Sequence, residues 1–199
     1  MSVNLHELSS TCAIIFMALN ATVCKAELHI ADMDRQYYQQ HNLTLAQHPS
    51  ETDERLMLRL LAFALHASEW LALTKGLSSE DEPDIWQKNL TGEIDVWIDL
   101  GLPTDKRIRK ACGRAKQVFI YTYGRGSADM WWKNTKPLIS RFDNLTILHI
   151  APDISQALAK CAAKNVEVSV SVQDTEISWH CNGDSVIFTP EVLLASASM

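Results

Sequence analysis

The alternation of apolar and polar positions divides the chain into short strands and a few helices. From Thr22 to Ile30 the apolar Cys24, Ala26, Leu28 and Ile30 alternate with Lys25, Glu27 and His29, the period of a half-buried strand. A second short strand is expected over Leu43 to Gln47. His48-Pro49-Ser50 then opens a helix with Ser50 as N-cap, Asp53 completing an acidic capping box, and Leu58, Leu61 and Leu65 on one face, and the pattern carries it to about Lys75. Gly76 to Asp84 reads as an acidic loop. Strands over Ile85–Lys88 and Glu93–Gly101, joined by the turn Asn89–Gly92, make a predicted hairpin. Pro103 and Thr104 open a basic helix to about Ala115, followed by the strand Val118–Tyr123, a Gly124-Arg125-Gly126 turn and a helix from about Ala128 with Ser127 as its cap. A strand over Leu145–Ile150 and a helix over Ile154–Ala163 come next. Val166, Val168, Val170 and Val172 then alternate with polar residues, and Asn182-Gly183 joins Ile177–Cys181 to Val186–Phe188. No repeat or linker interrupts this order, so the expectation is one mixed α/β domain whose C-terminal third is an antiparallel meander.

Composition narrows the class. Of 199 residues 47% are apolar, with only 7 glycines and 6 prolines, which suits a globular domain with a sizeable core and excludes a disordered or collagen-like chain. The longest early apolar run, Cys12 to Leu19, falls short of the ~20 residues of a membrane span. The only charge before Lys25 is the acidic Glu7, whereas a secretory signal begins positive. Cys12, Cys24, Cys112, Cys161 and Cys181 are odd in number and widely spaced, which speaks for reduced thiols in the cytoplasm rather than a disulfide framework or CxxC clip. The sequons at Asn20, Asn42, Asn89 and Asn144 then carry no glycosylation meaning. Walker A, G-x-G-x-x-G, G-x-S-x-G and H-E-x-x-H motifs are all missing, and the histidines lack zinc-ligand spacing.

Charge supplies the candidate chemistry. The net charge of −6 opposes a polyanion for the molecule as a whole. The segment Asp105 to Lys116 nevertheless carries six cations and one acid, or +5, which leaves −11 for the remainder. Within it Lys106, Lys110 and Arg114 share one helix face, a ridge suited to successive phosphates or simply a solvated face neutralised by the acidic loop. On the second hairpin strand Asp95, Trp97 and Asp99 project opposite to Ile94, Val96, Ile98 and Leu100, and an aspartate in a strand calls for a metal, an ion pair or a solvent-facing side. Glu54 shares the stripe of Leu58, Leu61 and Leu65, where a carboxylate needs a partner unless it serves only the helix dipole. The Gly124-Arg125-Gly126-Ser127 turn offers amides to an anion or is plain punctuation. Trp131 and Trp132 are core residues or a base-stacking pair.

The segments His48-Pro49-Ser50-Glu51-Thr52-Asp53-Glu54-Arg55, Ser79-Glu80-Asp81-Glu82-Pro83-Asp84, Trp97-Ile98-Asp99-Leu100-Gly101 and Arg109-Lys110-Ala111-Cys112-Gly113-Arg114-Ala115 resemble the YaeQ family. The resemblance begins at about Met17, which leaves residues 1–16 as a leader outside a domain spanning 17–195. It implies the core of the PD-(D/E)XK nucleases: a single-domain, restriction-endonuclease-like α/β roll with a mixed sheet, flanking helices and the C-terminal meander. It further implies Glu54, Asp84 and Asp99 as ligands of a magnesium ion, with Lys106 or Lys110 as the water-positioning cation, because Gly101 stands where the superfamily lysine is expected. The implied function is a magnesium-dependent phosphodiesterase on nucleic acid held by Arg107, Arg109, Arg114 and Lys116. The alternative is a non-catalytic nucleic-acid- or protein-binding regulatory module on the same fold. No membrane partner is expected.

Overall fold

The computed structural model describes residues 21–76 and 81–197. The predicted leader 1–16, and Ser78, Ser79 and Glu80 of the acidic loop, lie outside the described residues. The elements are β1 (Thr22–Asp32), β2 (Tyr37–Gln47), α1 (Asp53–His66), β3 (Leu71–Leu73), β4 (Ile85–Lys88), β5 (Ile94–Leu100), α2 (Asp105–Cys112), β6 (Ala115–Tyr123), α3 (Ser127–Ile139), β7 (Leu145–Ile150), α4 (Pro152–Ala159), β8 (Asn165–Gln173), β9 (Glu176–Cys181), β10 (Asp184–Phe188) and β11 (Glu191–Leu194). They form an α/β fold of two mixed sheets, as the α/β expectation required. One sheet has the order β10-β9-β8-β1-β2 and the other β11-β7-β6-β5-β4-β3.

In the six-stranded sheet β5, β6 and β7 run parallel, joined by α2 and α3, which is what a βαβ crossover demands. Both crossover helices cover one face, where Ile108, Ala111 and Ile139 pack on Trp97, Val118 and Ile120. The opposite face meets α1, α4 and the inner side of the five-stranded sheet in the larger core, built around Leu28, Leu56, Leu60, Leu61, Ile98, Val168 and Trp179. The sheet is therefore covered on both sides, and the solvent-facing reading of the Asp95, Trp97 and Asp99 side is wrong: Trp97 is fully buried and Asp99 is 3% exposed.

Other expectations need correction. The first helix stops at His66, because Arg35 donates to the carbonyls of Ala64 and Ala67, both 3.2 Å away, and turns the chain out of the helix. The following Leu71–Leu73 becomes a strand paired with Ile85–Gln87. The cap of α1 is Thr52, whose hydroxyl accepts from Arg55 N, while Ser50 bonds to His48 Nδ1 at 2.7 Å. Gly126, not Ser127, precedes α3, with no side-chain cap. The second strand begins six residues earlier than Leu43, at Tyr37, and β11 joins the other sheet rather than the meander. The hairpins β4–β5 and β9–β10 are where the pattern placed them. Among the described residues no helix is long and apolar enough to cross a membrane.

Candidate functional site

Helix α1 is buried on every side, from Arg55 to Ala64, so the charges it carries must be neutralised internally. Glu51, Arg55 and Arg59 stand at i, i+4 and i+8, which aligns them along one face. Arg55 Nη1 donates to Glu51 at 2.9 Å, and Arg59 Nη1 reaches both Glu51 oxygens at 3.0 and 2.8 Å. Arg55 Nη2 donates to Asp84 Oδ1 at 2.6 Å, and the other Asp84 oxygen accepts from Leu100 N at 2.8 Å. Asp84 precedes β4 and lies beside β5, where its own N–H bonds to Ile98 O. Asp99 is held by Arg107 from α2, through Nε and Nη2, both at 2.8 Å, and Arg107 Nη2 also donates to Glu82 O at 2.8 Å.

Three carboxylates thus face three guanidinium groups, and Glu51, Arg55, Arg59, Asp84 and Asp99 are each at most 8% exposed. Two-pronged Arg–carboxylate contacts of this kind are strong and geometrically selective. Burial acts to lower the Arg55 pKa, but Asp84 and Glu51 outweigh it and hold the guanidinium above its ordinary value. Donation to the Asp99 carboxylate does the same for Arg107. Gly76 closes the network, because a Cβ there would stand 3.4 Å from Arg59 Nη1 and 3.5 Å from Asp84 Oδ1.

Of the residues implied as metal ligands, Asp84 and Asp99 lie side by side, each already serving an arginine. Glu54, on α1, accepts from Ser155 of α4 at 2.5 Å. Among the described residues no three His, Cys, Asp or Glu side chains are grouped to hold a metal ion. The arrangement does not fit a divalent cation: the Arg55 and Arg107 guanidiniums stand on Asp84 and Asp99, where a metal would have to displace them. Lys110 pairs with Asp81 on the surface, and Lys106 is exposed. Gly101 has φ +96°, a conformation L side chains rarely adopt, which is the backbone reason that no lysine stands there.

The outer side of α2 is basic but largely paired. Arg109 meets Asp105 at 2.8 Å, Lys116 meets Asp95 at 2.7 Å and Glu93 at 3.7 Å, and Arg114 donates to Asp81 O at 3.3 Å. The Lys110 contact lowers the Asp81 pKa. Thr104, Lys106, Lys110 and Arg107, the partner of Asp99, nonetheless line a cavity of about 310 Å3. Trp131 is anchored by its indole N–H to Pro103 O at 2.8 Å and stacks on Trp132. At the end of β6, Tyr123 senses Arg55, Glu54, Asp84 and Glu51, and burial is the main cause raising its pKa. Sequence reasoning followed the acids and overlooked Glu51, Arg59 and the clamping role of Arg55; the four-residue spacing of three charges on an apolar helix was the available signal.

These features define a class: a two-sheet α/β protein whose central acids are neutralised by arginines from both flanking layers. The family model for the YaeQ protein matches residues 17–190, and the chain belongs to the YaeQ family. It is 42% identical to the YaeQ protein of Salmonella typhi over 161 residues, which is 81% of this chain and 89% of that one. Identity to the YaeQ protein of Escherichia coli K12 is 41% over 158 residues, covering 79% and 87% of the two chains. The crystal structure of YaeQ from Xanthomonas axonopodis pv. citri superposes with a TM-score of 0.85 at 46% identity, over 88% of this chain and 99% of that one. That of the Pseudomonas syringae protein also gives 0.85, at 30% identity, over 89% and 98%.

Proposed function

We propose that this chain is a non-catalytic module, on the nuclease-like core that its motifs resemble, and that it binds nucleic-acid phosphates without a metal ion. The observation that carries this reading is the division of labour around Asp99. The buried carboxylates that a metal would need are already occupied by Arg55 and Arg107, while Lys106 and Lys110 line an open cavity beside Arg107. Arginine supplies in permanent form the positive charge that magnesium would supply to a phosphodiesterase site. The cavity then receives a phosphate through Lys106 and Lys110, with Thr104 beside them, and the remaining ridge of Arg109, Arg114 and Lys116 follows the strand.

Titrating labelled single- and double-stranded DNA and RNA into the full chain in EDTA tests the reading. Binding should persist without divalent metal and weaken as salt rises. Lys106→Ala and Lys110→Ala should each weaken it and reduce the salt slope by about 1 unit. Cleavage of any of these substrates on adding magnesium, abolished by Asp99→Ala, would overturn it in favour of the phosphodiesterase reading.

A further inference from the structure

The two sheets present four edges, and three of them are blunted against pairing with another chain. Strand β3 has 3 residues, β11 has 4 with a register shift between Val192 and Leu194, and β10 has 5 and begins at Asp184. Shortness, bulges and charge are the usual means by which edge strands avoid recruiting a further strand. The fourth edge, β2, has none of them. It runs for 11 residues, Tyr37 to Gln47, in unbroken register with β1, and its sequence contains no Lys, Arg, Asp, Glu or Pro. Its one histidine, His41, packs edge-on against Phe63, and burial lowers its pKa. Among the described residues, no hydrogen bond outside the β1 ladder engages the main chain of residues 38–46. Among the described residues nothing pairs with the other side of this strand, a long row of main-chain donors and acceptors flanked by the exposed Tyr38, Gln40, Asn42, Thr44 and Ala46.

We infer that this edge pairs antiparallel with the β2 of a second copy of the chain, joining two five-stranded sheets into one across a two-fold axis. The charge distribution selects this occupant. Each molecule carries −6, so two copies repel unless they meet where that charge is absent, and β2 is such a strip. The nearest acid on the neighbouring strand, Glu27, accepts from the Gln40 amide at 2.6 Å and lies 3.4 Å from His29 Nε2 on its own strand, so it already has partners within the molecule. Full overlap of the strand with itself centres the axis on Asn42, the middle of its 11 residues. Gln40 then lies opposite Thr44 of the second copy and Tyr38 opposite Ala46, so amide meets hydroxyl and an aromatic ring meets a methyl group. An isologous interface of this kind closes on itself and leaves no further edge to propagate.

The test is the solution mass of the full chain across a concentration series, by analytical ultracentrifugation, with hydrogen exchange on the same samples. The wild type should reach twice the 22.4 kDa chain mass, and the outward amides of β2 should gain protection as the dimer forms. Asn42→Lys and Asn42→Asp, each on an exposed side chain, should separately stay monomeric where the wild type is dimeric, with unchanged circular dichroism. An equal mixture of the two variants should recover the dimer, because opposite charges then face one another across the axis. A wild type that stays monomeric at every concentration overturns the inference and leaves the edge to an extended peptide from another protein. A dimer that survives Asn42→Lys overturns it as well, since the interface must then lie elsewhere.

Discussion

Helix α2 separates two sets of ion pairs made from the same residue types. On its inner side Asp99 and Arg107 adjoin the enclosed series Asp84, Arg55, Glu51 and Arg59. On its outer side Asp81–Lys110, Asp105–Arg109 and Asp95–Lys116 stand in or near solvent. Burial changes what each set can do. The inner carboxylates have no water to fall back on, so each holds its neighbour in one geometry, and an unpaired one is intolerable. The outer pairs are screened and interchangeable, so a phosphate can displace an acid from Lys110 with little loss. The inner set is architecture, and the outer set is the part on which the proposed phosphate binding rests.

Removing one inner partner should therefore have the largest effect. Arg55→Ala leaves the buried Asp84 without its guanidinium and Glu51 with Arg59 alone, and urea unfolding should report a loss of about 3–5 kcal/mol. Lowering the pH tests the same enclosure through a neutral group. His66, half-buried and 2.8 Å from the Tyr121 hydroxyl, has its pKa pushed down to about 3, by burial first and by Arg35 next. The unfolded chain takes up this proton near pH 6.5 and the folded one does not, so the contribution is intact above 6.5 and is lost as pH falls toward 3. The slope approaches about 1.4 kcal/mol per pH unit, and His66→Phe should remove it from the stability profile. Gly76→Ala presses a methyl group toward Arg59 from a backbone at φ +60°, and should lose about 1–3 kcal/mol by the same unfolding assay. Lys110→Ala, on the outer set, should change stability by less than about 1 kcal/mol while weakening nucleic-acid binding.

Much of the framework was legible in the chain because it rests on local signals. The β4–β5 hairpin and the Asn182-Gly183 turn, with φ of 54° and 85°, are written in short-range alternation and turn chemistry. The end of α1 was not, since Leu71 and Leu73 prolong an apolar run and the stop comes from Arg35, which lies 32 residues before Ala67. The site divided in the same way. Asp99 announced itself as an acid in an apolar strand, and Asp84 through the motif around it. Their partners are arginines on two different helices, one 29 residues before Asp84 and the other 8 after Asp99, and only the packed fold brings them together. The metal set comes from the family resemblance, whereas the ion-pair alternative for Asp99 is the one that Arg107 fills.

The most direct check of that conclusion is thermal unfolding of the full chain in excess magnesium, excess manganese and EDTA. A resident metal site raises the melting temperature by mass action, whereas a site neutralised by arginines does not. The expected result is one melting temperature in all three conditions. A rise with either metal that disappears in Asp99→Asn would contradict the account.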